Sequence, residues 1–123
     1  MVSVPAFLLR RLYVKGSLRN SATGFEFELR NRLGSGYAYG LWPLTVDGQE
    51  IDASETFFEY EDERTAFSDV SREKTFTLSM NRSIKIHVTG VTLDEGPRKI
   101  GMAFDVPGLG TLRFDFTDIP ADG

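Results

Sequence analysis

Hydrophobic and polar residues alternate with a period of two over three long stretches in the C-terminal half of the chain. Ile84, Ile86 and Val88 alternate with Lys85, His87 and Thr89. Ile100, Met102, Phe104 and Val106 alternate with Lys99, Gly101, Ala103 and Asp105, and Leu112, Phe114 and Phe116 alternate with Arg113, Asp115 and Thr117. Such alternation predicts β-strands with one buried face. Residues that share a buried face must lie opposite one another in a hairpin, so parity restricts how the last two strands join. An even loop would set Phe104 against Arg113, whereas an odd loop keeps the apolar stripes together. The pattern predicts the loop Gly108-Leu109-Gly110, with Val106 facing Leu112, Phe104 facing Phe114, Met102 facing Phe116, and Gly110 in a left-handed bulge position.

Upstream the pattern is more varied. Phe7 to Lys15 reads as a first strand whose apolar residues fall on both faces, as in a strand covered on both sides, for instance by a partner chain. Phe25, Phe27 and Leu29 alternate with Glu26, Glu28 and Arg30, a half-buried strand with a charged outer face. Tyr37 to Pro43 mixes aromatic residues with Gly40 and Pro43 and predicts a bulged or irregular edge. Asp47-Gly48 is a strong two-residue hairpin signal and sets Leu44 opposite Ile51. Asp52 to Lys74 has no clean period. An edge strand near Phe57 to Glu61 and one helical turn near Phe67 to Val70 are expected there, since a structureless loop of that length is rare in a compact domain. Thr75 to Met80 restores the strand pattern, with Phe76, Leu78 and Met80 on one side, and Ala121 to Gly123 reads as a frayed tail.

Together these segments predict a single all-β domain over residues 1–123, an immunoglobulin-like antiparallel β-sandwich of about seven to nine strands, with a closed antiparallel β-barrel as the alternative. The expected core is Phe25, Phe27, Leu29, Ile84, Ile86, Val88, Ile100, Met102, Phe104, Leu112, Phe114 and Phe116.

Composition narrows the function classes. The 123 residues contain no cysteine, which excludes disulfides, thiolate metal sites and cysteine nucleophiles and suits a reducing cytoplasm. A net charge of −4 with the signs intermixed argues against a nucleic-acid partner. The short apolar patch from Met1 to Leu9 is followed by Arg10-Arg11, the reverse of a secretory signal, and no run is long enough to span a membrane. No nucleic-acid partner and no membrane partner are expected.

Reactive constellations are sparse. His87 is the only histidine, and strand parity sets it on an outer face with Lys85 and Thr89, where a solvated side chain is expected. The acidic run Glu59, Glu61, Asp62, Glu63 lacks the spacing and glycine of a calcium loop and contains the neutralising Arg64, so it reads as a solvated loop. There is no Gly-x-Ser-x-Gly elbow, and Gly108-Leu109-Gly110 joins two strands and offers no helix start to a phosphate. A carboxylate pair drawn from Glu26, Glu28, Asp105 and Asp115 is the one hydrolytic route left open. No catalytic residue, metal ligand or cofactor site is assigned, and the chain is not expected to be catalytic on its own. Tyr37, Tyr39 and Trp42, bracketed by Gly36, Gly40 and Pro43, are the candidate ligand-binding or interface residues, because amphipathic aromatics serve both sugar-binding faces and protein interfaces.

Val88-Thr89-Gly90, Leu93-Asp94-Glu95-Gly96 and the strand from Lys99 to Val106 resemble the crossing between sheets of fibronectin type III and other immunoglobulin-like domains. Arg98 and Lys99 stand where those domains often carry a tyrosine, which makes the resemblance architectural. Gly24-Phe25-Glu26-Phe27-Glu28-Leu29-Arg30, the Gly36-Tyr37 step, Val46-Asp47-Gly48 and Leu93-x-x-Gly96 resemble the small β-subunits of C-glycoside deglycosidases and related short prokaryotic proteins. Asp52 to Lys74 departs from that family. The resemblance implies a β-sandwich packed on a metal-dependent catalytic subunit, with the metal held by the larger chain and no catalytic residue carried over to this one. The expectation is a non-catalytic interaction module, the small subunit of a hetero-oligomeric enzyme acting on glycosides or a self-associating protein, with a free-standing domain for carbohydrate or another small polar ligand as the alternative.

Overall fold

The computed structural model describes residues 4–121. After a short helix α1 (Ala6–Leu9) and a 3₁₀ turn (Arg10–Leu12), twelve strands follow in chain order. They are β1 (Arg19–Asn20), β2 (Gly24–Arg30), β3 (Gly36–Ala38), β4 (Gly40–Leu41), β5 (Thr45–Val46), β6 (Gln49–Glu50), β7 (Thr56–Tyr60), β8 (Glu63–Ala66), β9 (Phe76–Leu78), β10 (Ser83–Thr89), β11 (Arg98–Val106) and β12 (Gly110–Asp118). One antiparallel sheet has the order β1-β2-β10-β7-β8, and a second has the order β12-β11-β5-β6 with β4 also paired to β11. A small ribbon joins β3 to β9. The two sheets remain open and pack as a sandwich, so the barrel alternative is not realised. No helix among the described residues is long and apolar enough to cross a membrane.

The core lies between the sheets. All twelve residues expected from periodicity are buried, from Phe25, Leu29, Ile86 and Ile100 at 0 % exposure to Phe104 and Leu112 at 7 %. The chain passes from the first sheet to the second between β10 and β11, and the side-chain amide of Asn20 fixes this crossing, donating to the Leu93 carbonyl at 3.0 Å and accepting from the Leu93 amide at 2.8 Å. Gly24 allows β2 and β10 to close together, because a Cβ there would lie 1.9 Å from the Val88 carbonyl oxygen.

Four local expectations are corrected. The predicted first strand is α1 and the 3₁₀ turn, with Leu9 and Leu12, three residues apart, turned inward and Phe7 66 % exposed. The mixed faces thus recorded a helical period over a stretch too short to display it, and the two-sided strand does not exist. In the β11–β12 hairpin the loop is odd, but the register lies two residues from the expected one, with Val106 paired to Gly110, Phe104 to Leu112, Met102 to Phe114 and Ile100 to Phe116. Pro107-Gly108 sets it: the Leu109 amide donates to the Val106 carbonyl at 3.1 Å and Gly108 has φ +80°, as a type II turn requires. Strand β7 is interior rather than an edge, because Glu61 and Asp62, both at positive φ, turn the chain back into β8. Met80 lies beyond β9 and is 46 % exposed.

Other local readings hold. Asp47 (φ +50°) and Gly48 (φ +89°) form the hairpin turn, and the Ile51 amide donates to the Leu44 carbonyl at 2.8 Å. Tyr37 to Pro43 is broken into β3 and β4, and a 3₁₀ turn spans Phe67–Asp69. Ala121 is tied to the first sheet through Leu18 and Asn20, whereas the rest of the expected frayed tail, residues 122–123, lies outside the described residues.

Candidate functional site

The outer face of the second sheet carries a trough of about 680 Å³. Register assembles it: Trp42 donates its backbone amide to the Ala103 carbonyl, Arg113 pairs with Ala103 from the other side, and the next rung sets Thr45, Gly101 and Asp115 side by side. Gly101 and Ala103 therefore form a floor without protruding side chains. Trp42 and Arg113 rise at one end, and Lys99, Asp115 and Glu50 rise toward the other.

Trp42 is held while 43 % exposed. Its Nε1–H donates to Asp105 Oδ1 at 3.0 Å, and Thr111 Oγ1 donates to the same oxygen at 2.6 Å. These two bonds, the Thr111 bond foremost, lower the pKa of the Asp105 carboxyl. The Arg113 guanidinium lies 5.3 Å from the centroid of the indole ring. Gly40, paired with Asp105, leaves room for that carboxylate, since a Cβ there would approach Asp105 Oδ2 to 2.9 Å. Pro43 carries no amide proton and interrupts the edge between β4 and β5, so the chain can place Trp42 outward and then bury Leu44 completely.

The three aromatic residues singled out in the sequence do not form one platform. Tyr39 stacks beneath Arg72, whose guanidinium carbon lies 4.4 Å from the ring centroid. Tyr37, on β3 and 50 % exposed, borders a separate apolar cleft of about 260 Å³. Leu9, Leu12, Phe76 and Leu112 line this cleft, and Leu33, 39 % exposed, stands at its margin. Met80 lies near this end of the sandwich, its backbone amide bonded to Ser35 Oγ at 2.9 Å. One aromatic cluster in sequence is thus divided between two surfaces, because the chain changes pairing partner from β9 to β11 between Ala38 and Gly40.

On the outer face of the first sheet, Glu28, Lys85, Glu59 and Arg64 occupy one rung in alternating charge, and Glu26, His87, Phe57 and Ala66 occupy the next. His87 is on the expected face but is not a solvated side chain, with only 12 % side-chain exposure. Its Nε2 lies 3.2 Å from Glu59 Oε1 without the geometry of a hydrogen bond. Burial, helped by the nearby Arg64 charge, lowers the imidazole pKa against the opposing pull of Glu26 and Glu59. Glu59 is bonded to Arg64 at 3.1 Å and Glu26 lies 3.6 Å from Lys85. The four acids considered for paired-carboxylate chemistry are split between the two outer faces, Glu26 and Glu28 on one and Asp105 and Asp115 on the other. Asp115 faces Arg10 at 3.5 Å and Lys99 at 3.8 Å. Among the described residues no group of three or more His, Cys, Asp or Glu side chains is arranged to hold a metal ion.

Sequence reasoning did not find the setting of Trp42. Asp105, Thr111, Arg113 and Gly40 come from three strands, and their only local signal is an outward parity shared with many surface residues.

No curated protein matches the chain. A family model does, and it extends over both sheets and the second half of the N-terminal helix: residues 8–119 match the hydroxymethylglutaryl-CoA reductase, N-terminal domain, and the chain belongs to that family.

Proposed function

We propose that this immunoglobulin-like sandwich is a non-catalytic interaction module that docks onto a larger catalytic chain through the apolar end around Tyr37. The observation that carries the reading is the grouping of exposed Leu33 and Tyr37 on an open apolar cleft, with exposed Met80 nearby. Exposed apolar side chains gathered at one end, a tyrosine among them, have the character of a contact surface. The family description, an N-terminal domain of a reductase, supports a unit that works beside a catalytic one. The resemblance to small subunits of C-glycoside deglycosidases supports the same arrangement with a glycoside-acting partner.

Co-expression with the products of the neighbouring genes, followed by native mass spectrometry, tests the reading and names the partner. A stoichiometric hetero-complex is expected, and Tyr37→Asp should abolish it without altering the melting temperature. Self-association lost in the same variant would make the partner a second copy. A strict monomer that captures none of the neighbouring chains would refute the proposal.

A further inference from the structure

We infer that the trough on the outer face of the second sheet is a binding site for a short neutral oligosaccharide, with Trp42 as its stacking surface. This inference stands on a different surface from the docking reading and does not depend on it.

Trp42 is the only tryptophan of the chain. An indole that merely sealed the core would be buried, yet 43 % of this one is exposed while Asp105 and Thr111 fix its orientation and Arg113 lies beside the ring. Holding a large exposed ring in one pose removes the ordering cost that a ligand would otherwise bear. The floor beside it is kept low. Gly101 leaves the floor bare, since a Cβ there would come within 2.3 Å of Thr45 Oγ1 and displace that hydroxyl, and Ala103 contributes only a methyl group. The resulting volume of about 680 Å³ lies within the range of about 300–1,000 Å³ typical of small-molecule sites.

The rim selects the chemistry. Asp47, Glu50 and Asp115 supply carboxylates, and Lys99 and Arg113 supply cations. Asp47 is paired with Arg98, and Asp115 with Arg10 and Lys99, so the rim is a mixed, largely neutralised set that offers a phosphate or another anion no cluster of cations. Sugar hydroxyls both donate and accept, so one molecule can satisfy acids and cations together, while the apolar C–H face of a pyranose covers the indole. Arg113 forms no ion pair with a carboxylate among the described residues, which leaves its N–H groups free to donate to a hydroxyl or ring oxygen.

Emission from the single tryptophan and titration calorimetry on the intact domain, with cellobiose, maltose, xylobiose and chitobiose as probes, test the site. At least one disaccharide is expected to give a saturable change that Arg113→Ala and Asp115→Asn each weaken about tenfold or more. Tyr37→Asp should leave that response unchanged, so loss of the sugar site and loss of the docking surface are read separately. Silence toward all four disaccharides in a protein that melts cooperatively would overturn the inference. So would saturable binding of AMP or inorganic phosphate in their place, or a disaccharide response that survives both rim substitutions.

Discussion

Tyr13 joins the N-terminal segment to both sheets, and removing its hydroxyl isolates a single interaction. The ring stacks on Phe116 at 3.6 Å with 7° between the planes and meets Phe27 edge-on at 6.2 Å. The hydroxyl donates to Asp118 Oδ2 at 2.7 Å and accepts from the Leu18 amide at 3.0 Å. Burial, and next the bond to the Asp118 carboxylate, push its pKa from 10.0 up to about 12. Tyr13→Phe keeps the ring and both aromatic contacts. It deletes a hydrogen bond to a charged acceptor, generally worth about 1.5–3 kcal/mol, and leaves the Leu18 amide without its partner. The raised pKa gives a ceiling of about 2.7 kcal/mol by linkage, so a loss of about 2 kcal/mol is expected after allowance for partial exposure. In urea the midpoint should fall by about 1 M with the slope unchanged. The pH dependence provides the stricter criterion. A tyrosine whose folded pKa is raised contributes stability that is complete below its unfolded value near 10 and is lost as pH climbs toward 12. The difference between wild type and variant should be constant from neutral pH to about 9 and close between about 10 and 12. A difference below about 0.5 kcal/mol at pH 7, or one that does not change across the alkaline range, would refute the reasoning.

Three further outcomes are expected. Gly24→Ala should destabilise by about 2 kcal/mol or more in urea unfolding, because the added methyl meets the backbone of central strand β10 rather than a side chain that can move. His87 has its pKa lowered by burial first and by Arg64 next, so its contribution is present above the unfolded value of 6.5 and is lost as pH falls below it. Thermal melts between about pH 6.5 and 5, a window above ordinary carboxylate titration, should therefore show a smaller loss in His87→Gln than in wild type. Asp105→Ala removes the acceptor shared by Trp42 and Thr111, so the indole emission should shift to the red with little change in far-ultraviolet circular dichroism. An unshifted spectrum would mean that Arg113 alone fixes the ring.

The long strands were legible because their signal is redundant. β2, β10, β11 and β12 each repeat the alternation of apolar and polar residues over seven or more positions, and a sheet with one wet face demands that alternation wherever it packs. The Asp47-Gly48 turn was equally legible, because two consecutive residues at positive φ have few sequence solutions. The Glu61-Asp62 turn uses the same backbone conformation without a glycine and with a glutamate, which seldom adopts it, and its hairpin was hidden. The N-terminal helix was hidden for another reason. The four residues of α1 make barely one turn, too few for a period of 3.6 to repeat, and packing against β12 decides their conformation.

The candidate sites divide in the same way. Composition alone establishes that a single imidazole and no thiol are present, and parity alone sets Asp105, Arg113 and His87 on outer faces. Whether an outward residue meets water depends on its neighbours across the sheet, which no local pattern contains. His87 is shielded on a crowded rung, and Trp42 is clamped by residues from strands more than sixty positions away in sequence. Tyr37 and Trp42, five residues apart, belong to different surfaces because β3 and β4 pair with different strands. The sequence by itself determined the long strands, their inward stripe and the expected core, because burial of alternate side chains is a local code. Only the tertiary structure decided which outward side chains stand together, because that depends on strand order and register, and these follow from contacts between segments far apart in the chain.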